Sequence, residues 1–286
     1  MNAGNANQSP RHRVKRFVKT PKGQALTGLI LLTGLAGLFP GGSTELAHAA
    51  LAAVTALAAD FGVSLALKRP AAISAGGLIT GLITADVLSA LTPGYVVVLA
   101  TLVAIGSKHL IKRGRKPVFN PAAFGLLFAL LVSSGGQSWW AGLSAAPPAY
   151  LFVLLGVGSF LAIRVKKYPQ VLAFLGTYFG LVFLMAVFHL GLPSATPADA
   201  LRLPFVNSSL FLAFFMLTDP PTTPASNRRQ VQFGLIVAGV AVILFASFGG
   251  LAYLLIALLA GNLWTAWVTR RSRPVPTTAP RRPLAS

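Results

Sequence analysis

Ten apolar runs, most of them close to the length of a membrane crossing, alternate along this chain with short polar turns. Their approximate limits are 24–40, 45–67, 71–89, 93–107, 119–135, 147–163, 170–191, 205–218, 231–247 and 249–268. A helix needs roughly 20 apolar residues to cross the hydrocarbon core, with a range of about 17–25, because no water is there to satisfy an open backbone. The fourth and eighth runs are short and are expected to extend into their flanks. The third is rich in Gly and Thr, which suits close helix packing better than lipid contact. The pattern predicts an all-α polytopic membrane protein of about ten transmembrane helices. Basic Arg11–Lys22 before the first run has the form of a signal peptide, but nine more runs follow. An uncleaved first helix is expected.

The polar turns add orientation. Of the 24 Lys and Arg residues, 23 fall before the first run, after the last, or in alternate turns; Arg202 is the exception. Cytoplasmic segments carry the excess of Lys and Arg, so both termini are expected in the cytoplasm. Five runs before the outer segment 136–146 and five after it place two halves in opposite orientations, the arithmetic of an inverted repeat. The membrane domain is expected over 21–270, between disordered basic ends at 1–20 and 271–286 that are rich in Pro, Arg, Ser and Thr.

Composition agrees. Charged residues make up 10% of the chain and hydrophobic ones 55%, with a mean hydropathy of +0.71; a soluble domain carries about 25% charged residues. The net charge of +19 comes in clusters between apolar runs. It does not form the basic face that nucleic-acid binding requires, so lipid is the expected partner and nucleic acid is not. The chain has no cysteine, which excludes disulfides and thiolate ligation by this chain.

Ionisable and polar groups at membrane depth are costly and mark candidate sites. Asp60 in the second run and Asp86 in the third are either parts of an ion or proton path, or are interfacial, paired or protonated. His48 and His189, near outer ends, are expected to be interfacial or hydrogen-bonded, not haem ligands. Asn262, in the last run, bonds a neighbouring helix or contacts a cofactor. Two inner segments stand out. In the first, Lys108-His109-Leu110-Ile111-Lys112-Arg113-Gly114-Arg115-Lys116 leads into Phe119-Asn120-Pro121. Asn120 before Pro121 is a sound N-cap, and a helix start beside basic residues favours an anion. In the second, Thr218-Asp219-Pro220-Pro221-Thr222-Thr223-Pro224, three prolines break the eighth run. Such backbone is tolerated at depth only where protein or a polar cavity covers it. For both segments the plain alternative is a cap with topogenic charge.

At these segments the chain resembles a known family, which includes the D subunit of the Rnf electron-transport complex and the B subunit of sodium-translocating NADH:quinone oxidoreductase. The resemblance rests on Thr80-Gly81-Leu82, Ser107-Lys108-His109-Leu110, Phe119-Asn120-Pro121-Ala122-Ala123-Phe124-Gly125-Leu126, Phe215-Met216-Leu217-Thr218-Asp219-Pro220 and Leu259-Ala260-Gly261-Asn262-Leu263, in order across residues 70–268. It implies two inverted five-helix halves in the plasma (inner) membrane of a prokaryote. It also implies electron transport through flavins, coupled to ion movement. Family members carry FMN esterified to a Thr in a Ser-Gly-Ala-Thr motif, which is absent here. Ser133-Ser134-Gly135-Gly136-Gln137, in the expected outer loop, has no Thr, and Ser194-Ala195-Thr196-Pro197 lies two runs too late and lacks the Gly. The resemblance therefore points to a short, stand-alone member. Covalent FMN is not expected; a noncovalent flavin (FMN or riboflavin) near Lys108, Asn120, Asp219 and Asn262 is.

The sequence leaves other functions open: a small-solute or ion transporter or channel on the same frame, or a membrane anchor for a soluble oxidoreductase; the protein partner expected is a soluble or membrane flavoprotein or oxidoreductase. With no Cys, no paired carboxylates at useful spacing and no dinucleotide-binding Gly loop, the chain is expected to be at most a non-catalytic or flavin-carrying subunit of an oxidoreductase complex, not a complete enzyme.

Overall fold

The computed structural model describes residues 10–39, 41–68, 74–139, 149–190, 196, 198, 201–250 and 252–271. Among them, ten apolar helices match the ten runs in order. The first half holds α2 (Pro21–Ala36), α3 (Gly42–Ala66), α4 (Ala75–Val87), α5 (Gly94–Leu110) and α6 (Pro121–Val132). The second holds α7 (Ala149–Arg164), α8 (Tyr168–Val187), α9 (Leu203–Phe211, running on into a π-helical turn Leu212–Met216), α10 (Asn227–Phe248) and α11 (Tyr253–Arg271). By length and composition α3, α8 and α10 are each able to cross a membrane unaided. A small hairpin of β1 (Lys112–Arg113) and β2 (Lys116–Pro117) joins α5 to α6.

One element departs from expectation. Inside the 1–20 segment, Pro10–Val18 form a helix, α1. Val14, Phe17 and Val18 repeat at helical spacing and fall on one side of it, exposed, while Lys15 and Arg16 lie elsewhere on its surface. This is the pattern of an amphipathic helix lying along a surface, a periodicity that the Arg-rich composition hides. The Pro-rich tail beyond Arg271 lies outside the described residues.

Helix ends that alternation assigns to one face do meet there. Arg164, closing α7, donates from Nε to Gln24 Oε1 at the start of α2 (3.0 Å). Lys108, near the end of α5, reaches Asp60 near the end of α3 and Ser74 at the start of α4. Arg113 of the hairpin donates to the Ala266 carbonyl of α11. The basic clusters thus share one face.

The two halves also repeat a neighbour pattern: in each, the first helix packs on the third, the second on the third and fourth, and the fourth on the fifth. In each the third member is short. At 1.5 Å per residue, α4 reaches roughly 20 Å, well under the ~30 Å hydrocarbon thickness. Irregular backbone therefore sits at depth at its end away from the basic face, and the segment after α6 covers it: Ser138 donates from its backbone N to Val87 O (2.9 Å) and from Oγ to Leu88 O (2.8 Å). In the second half α9 and its π turn end early at the opposite, basic face.

Small residues set the helix spacing. A Cβ on Gly81 of α4 would stand 2.8 Å from Ala52 O of α3, and one on Gly234 of α10 would stand 2.5 Å from Gln170 O of α8. Both obstacles are backbone, which cannot swing aside. Gly239, on the same helix α10, has open space around it. Gly234→Ala is expected to cost about 1–3 kcal/mol by overpacking, while Gly239→Ala is neutral or slightly stabilising through helix propensity. Thermal unfolding of the two variants in detergent checks this; equal losses would place the α8–α10 contact elsewhere.

Candidate functional site

The segment 216–225 at the basic face is where the fold concentrates its buried polar groups. Pro220, Pro221 and Pro224 have no N–H to give and end the helix, leaving a run of carbonyls without helical partners. Side chains from other parts of the chain supply the donors. Asn120 Nδ2 donates to Met216 O (3.0 Å), Gln170 Nε2 to Leu217 O (2.6 Å), and Asn262 Nδ2 to Thr222 O (3.3 Å). Lys167 Nζ donates to Pro224 O, and Gln230 Nε2 to Ala225 O (3.1 Å). Inside the segment, Thr222 Oγ1 donates to Asp219 Oδ2 (2.9 Å) and Thr223 Oγ1 to Asp219 O (2.7 Å).

Asn120 caps α6 as the Asn-Pro spacing predicts: its Oδ1 accepts from Ala123 N at 3.0 Å. Its own N–H donates to Asn262 Oδ1 at 2.8 Å. The two asparagines therefore form one buried unit that ties α6 and α11 to the broken span. Gln170, Lys167 and Gln230 are members of this polar cluster that sequence reasoning does not single out. An amide in the first turns of each of two apolar runs, α8 and α10, is the available signal.

Beside this unit opens a cleft of about 460 Å³, walled by Asn262, Thr222, Thr223 and Trp264, with Arg113, Lys116 and Arg229 also on its lining. The helix start of α10 meets it at Ser226. A volume of ~300–1,000 Å³ is the usual scale of small-molecule sites. Of the four residues expected to hold a cofactor, Asn262 lines the cleft; Asn120 and Asp219 are off its lining but bonded to Asn262 and Thr222, which line it, and Lys108 is off the lining as well. Lys108 Nζ lies 3.1 Å from Asp60 Oδ2, and His109 Nε2 lies 2.8 Å from Asp60 Oδ1. Lys108 and His109 also line a second hollow of about 480 Å³ over Lys112, Arg115 and Pro117. Asp60 is thus held in a charged clasp at the basic face. Asp86 lies at the other end of the α3–α4 pair, buried against Thr33. Between them Gly81 closes onto Ala52 and Ala56. Thr80 and Thr84 of the same stretch donate to carbonyls of their own helix, Gly76 O and Thr80 O, at 2.9 Å each. Their hydroxyl hydrogens are spent locally, which separates the surroundings of the two carboxyls.

Asp219 sits just past the end of its helix. Burial pushes its carboxyl up to about 6, while the Thr222 hydroxyl and the charges of Lys167, Lys22 and Lys108 pull it down. Lys167, buried in the turn before α8, is pushed down to about 8, chiefly by burial; Asp219 opposes that shift and Lys116 adds to it. Thr196, the partial motif match, lies in the connection between α8 and α9.

Residues 140–277 match the NQR2, RnfD, RnfE family. The chain is similar to the D subunit of the ion-translocating oxidoreductase complex of Pseudomonas aeruginosa strain LESB58, with 27% identity over 323 residues covering 92% of this chain and 91% of the relative. The corresponding protein of strain UCBPP-PA14 is 27% identical over 298 residues, 84% of each chain. That of Shewanella amazonensis is 35% identical over 75 residues, 26% of this chain and 21% of the relative.

Asn262→Ala leaves the Asn120 N–H and the Thr222 carbonyl unpaired in a buried place, where each orphan costs about 1–3 kcal/mol. A clear drop in thermal stability is expected, and one no larger than that of an exposed-site control would remove Asn262 from its bridging role. For Asp219, the folded state holds the proton more tightly than the unfolded chain does. Its contribution is therefore fully present below about pH 4, the ordinary carboxylate range, and is lost as pH rises through about 6. Melting curves from pH 4 to 7.5 should show a decline in the wild type that Asp219→Asn flattens. Parallel profiles would refute this.

Proposed function

We propose, on the match of residues 140–277 to the NQR2, RnfD, RnfE family, that the chain is an integral membrane subunit of an ion-translocating electron-transport system that holds a flavin noncovalently at its basic face. The observation that carries the flavin reading is the cleft beside the Asn120–Asn262 unit. Its wall combines an indole, Trp264, with polar groups of Asn262, Thr222 and Thr223 and the cations Arg113, Lys116 and Arg229. A flat aromatic ring system with polar edges fits an indole wall beside amides and hydroxyls, and a phosphate tail fits a cluster of Arg and Lys.

A bound flavin supplies one- and two-electron chemistry. The chain's own residues bind and orient it: Asn262 is held by its bonds to Asn120 and Thr222, so its remaining amide hydrogen is presented in a fixed direction. Arg113 is steadied by the Ala266 carbonyl. The face carrying the cleft is cytoplasmic by its charge, which puts the site within reach of a soluble or membrane flavoprotein partner. Such a partner would meet a basic surface, so acidic groups around its own redox centre suit the docking. In a prokaryote this membrane is the plasma (inner) membrane.

Titration of FMN and riboflavin into the purified chain, followed by flavin fluorescence, tests the reading. Both should be quenched on binding. Lys116→Gln with Arg229→Gln should weaken FMN about tenfold or more, the worth of one charge-assisted contact at ~1.4 kcal/mol per decade, and leave riboflavin unchanged. Trp264→Leu should weaken both. Absence of saturable binding by either flavin would sink the proposal.

A further inference from the structure

The hairpin between α5 and α6 sorts its cations to two sides. Strand side chains alternate between faces. The cross-strand partners Arg113 and Lys116 line the flavin cleft, whereas Lys112 and Arg115 line the second hollow, of about 480 Å³, with Lys108 and His109. Pro117 is the wall that the two spaces share. The partition is tied down at both sides: Val118 N donates to Ile111 O (2.9 Å), and Arg113 donates to the Ala266 carbonyl of α11.

Charge in the second hollow is unbalanced. Lys108 Nζ lies 3.1 Å from Asp60 Oδ2 and 3.4 Å from Ser74 Oγ, and His109 Nε2 lies 2.8 Å from Asp60 Oδ1. Asp60 itself is buried, packed so closely on α4 that a Cβ on Gly77 would collide with its Oδ2, and it is off the lining. Lys112 and Arg115 are exposed, and neither belongs to an ion pair among the described residues. Three Lys and Arg charges against one carboxylate leave a surplus of two before His109 is counted. Phosphate oxygens are the matching partners for ammonium and guanidinium groups.

The side of α5 next to the hollow identifies the source of that phosphate. Leu99, Leu102 and Leu110 are exposed and share one stripe of the helix with Gly106. A Cβ on Gly106 would meet nothing within 4 Å, which leaves a notch in the stripe. Leu110, the residue after His109, is 83% exposed. On α3, Phe61, the residue after Asp60, and Leu65 one turn on are exposed as well. Such stripes on helices of a membrane domain face acyl chains, and here they end beside the cationic hollow. A free phosphate uses the cations alone; an anionic phospholipid uses both cations and stripe. Basic pockets between helices on the cytoplasmic side suit such headgroups.

We propose that this hollow is a headgroup site for an anionic phospholipid of the cytoplasmic leaflet. Lys112 and Arg115 hold the phosphate, and Lys108 and His109, fixed by Asp60, complete the cationic lining. One acyl chain runs along Leu110, Gly106, Leu102 and Leu99. The site is separate from the flavin cleft and does not rest on the flavin reading.

Native mass spectrometry of the full chain, given equal amounts of phosphatidylglycerol and phosphatidylcholine with the same acyl chains, tests this. The chain should retain one phosphatidylglycerol in preference to phosphatidylcholine by about tenfold or more, the worth of two cations at a membrane surface. Lys112→Gln with Arg115→Gln should abolish the preference, while Lys15→Gln with Arg16→Gln, an equal loss of charge on α1, should keep it. Loss in both pairs would reduce the effect to diffuse charge and overturn the site. A wild-type chain without the preference also overturns it and leaves the hollow to an acidic protein surface. Inorganic phosphate at the lipid's concentration should not displace the bound lipid; displacement would make the ligand a free phosphate and overturn the lipid assignment. The readout needs no flavin, so failure of either reading leaves the other standing.

Discussion

A hydrogen-bond donor must be found for every carbonyl that leaves a helix inside a membrane, and the second half of this protein is organised around that demand. Lipid offers no donors, so an open stretch of backbone at depth survives only where side chains reach it. The prolines of 220–224 open such a stretch, and Asn120, Gln170, Lys167, Gln230 and Asn262 close it. These residues come from α6, the turn before α8, α8, α10 and α11. Satisfying one short segment therefore fixes the relative positions of most of the basic face, and the cleft is the space left beside this stitched segment.

The first half solves the same problem in mirror fashion. Its third helix also stops short, and the loop following its fifth helix donates to the freed carbonyls at the face opposite the basic one. Each half thus ends its third span near an acid, Asp86 in one and Asp219 in the other, beside a threonine hydroxyl. Charge and hydroxyl recur while the surrounding sequence does not, which is why an inverted repeat is visible in the packing and is only arithmetic in the sequence.

What can be read in advance follows from the range of the physics involved. Apolar run length is local, and all ten helices fall where the runs lie. The Asn120 cap is local too, spelled by Asn-Pro and realised at Ala123. The break at Thr218–Pro224 is plain from its prolines. The donors that repair it are not, because Gln170 and Gln230 are ordinary first-turn residues until the fold sets them under a carbonyl. Asp60 illustrates the same limit: as a buried acid it reads equally as an ion ligand or half of a pair. Only the approach of α5 to α3 brings Lys108 and His109 to it. Lys108, grouped by sequence with the cofactor residues, is drawn away by that same pairing. The helix at Pro10–Val18 escapes a reading by composition because its signal lies in spacing alone.

The Asn120–Asn262 bond has a consequence for how the chain is made. Asn120 enters the membrane early in synthesis and Asn262 only with α11, yet each completes the other's polar contacts. Until α11 arrives, the Asn120 N–H and the Thr222 carbonyl lack these partners. A nascent chain halted after α9 thus presents an unfinished polar seam. α11 acts as a latch: once it is in place, both of these polar groups have their partners.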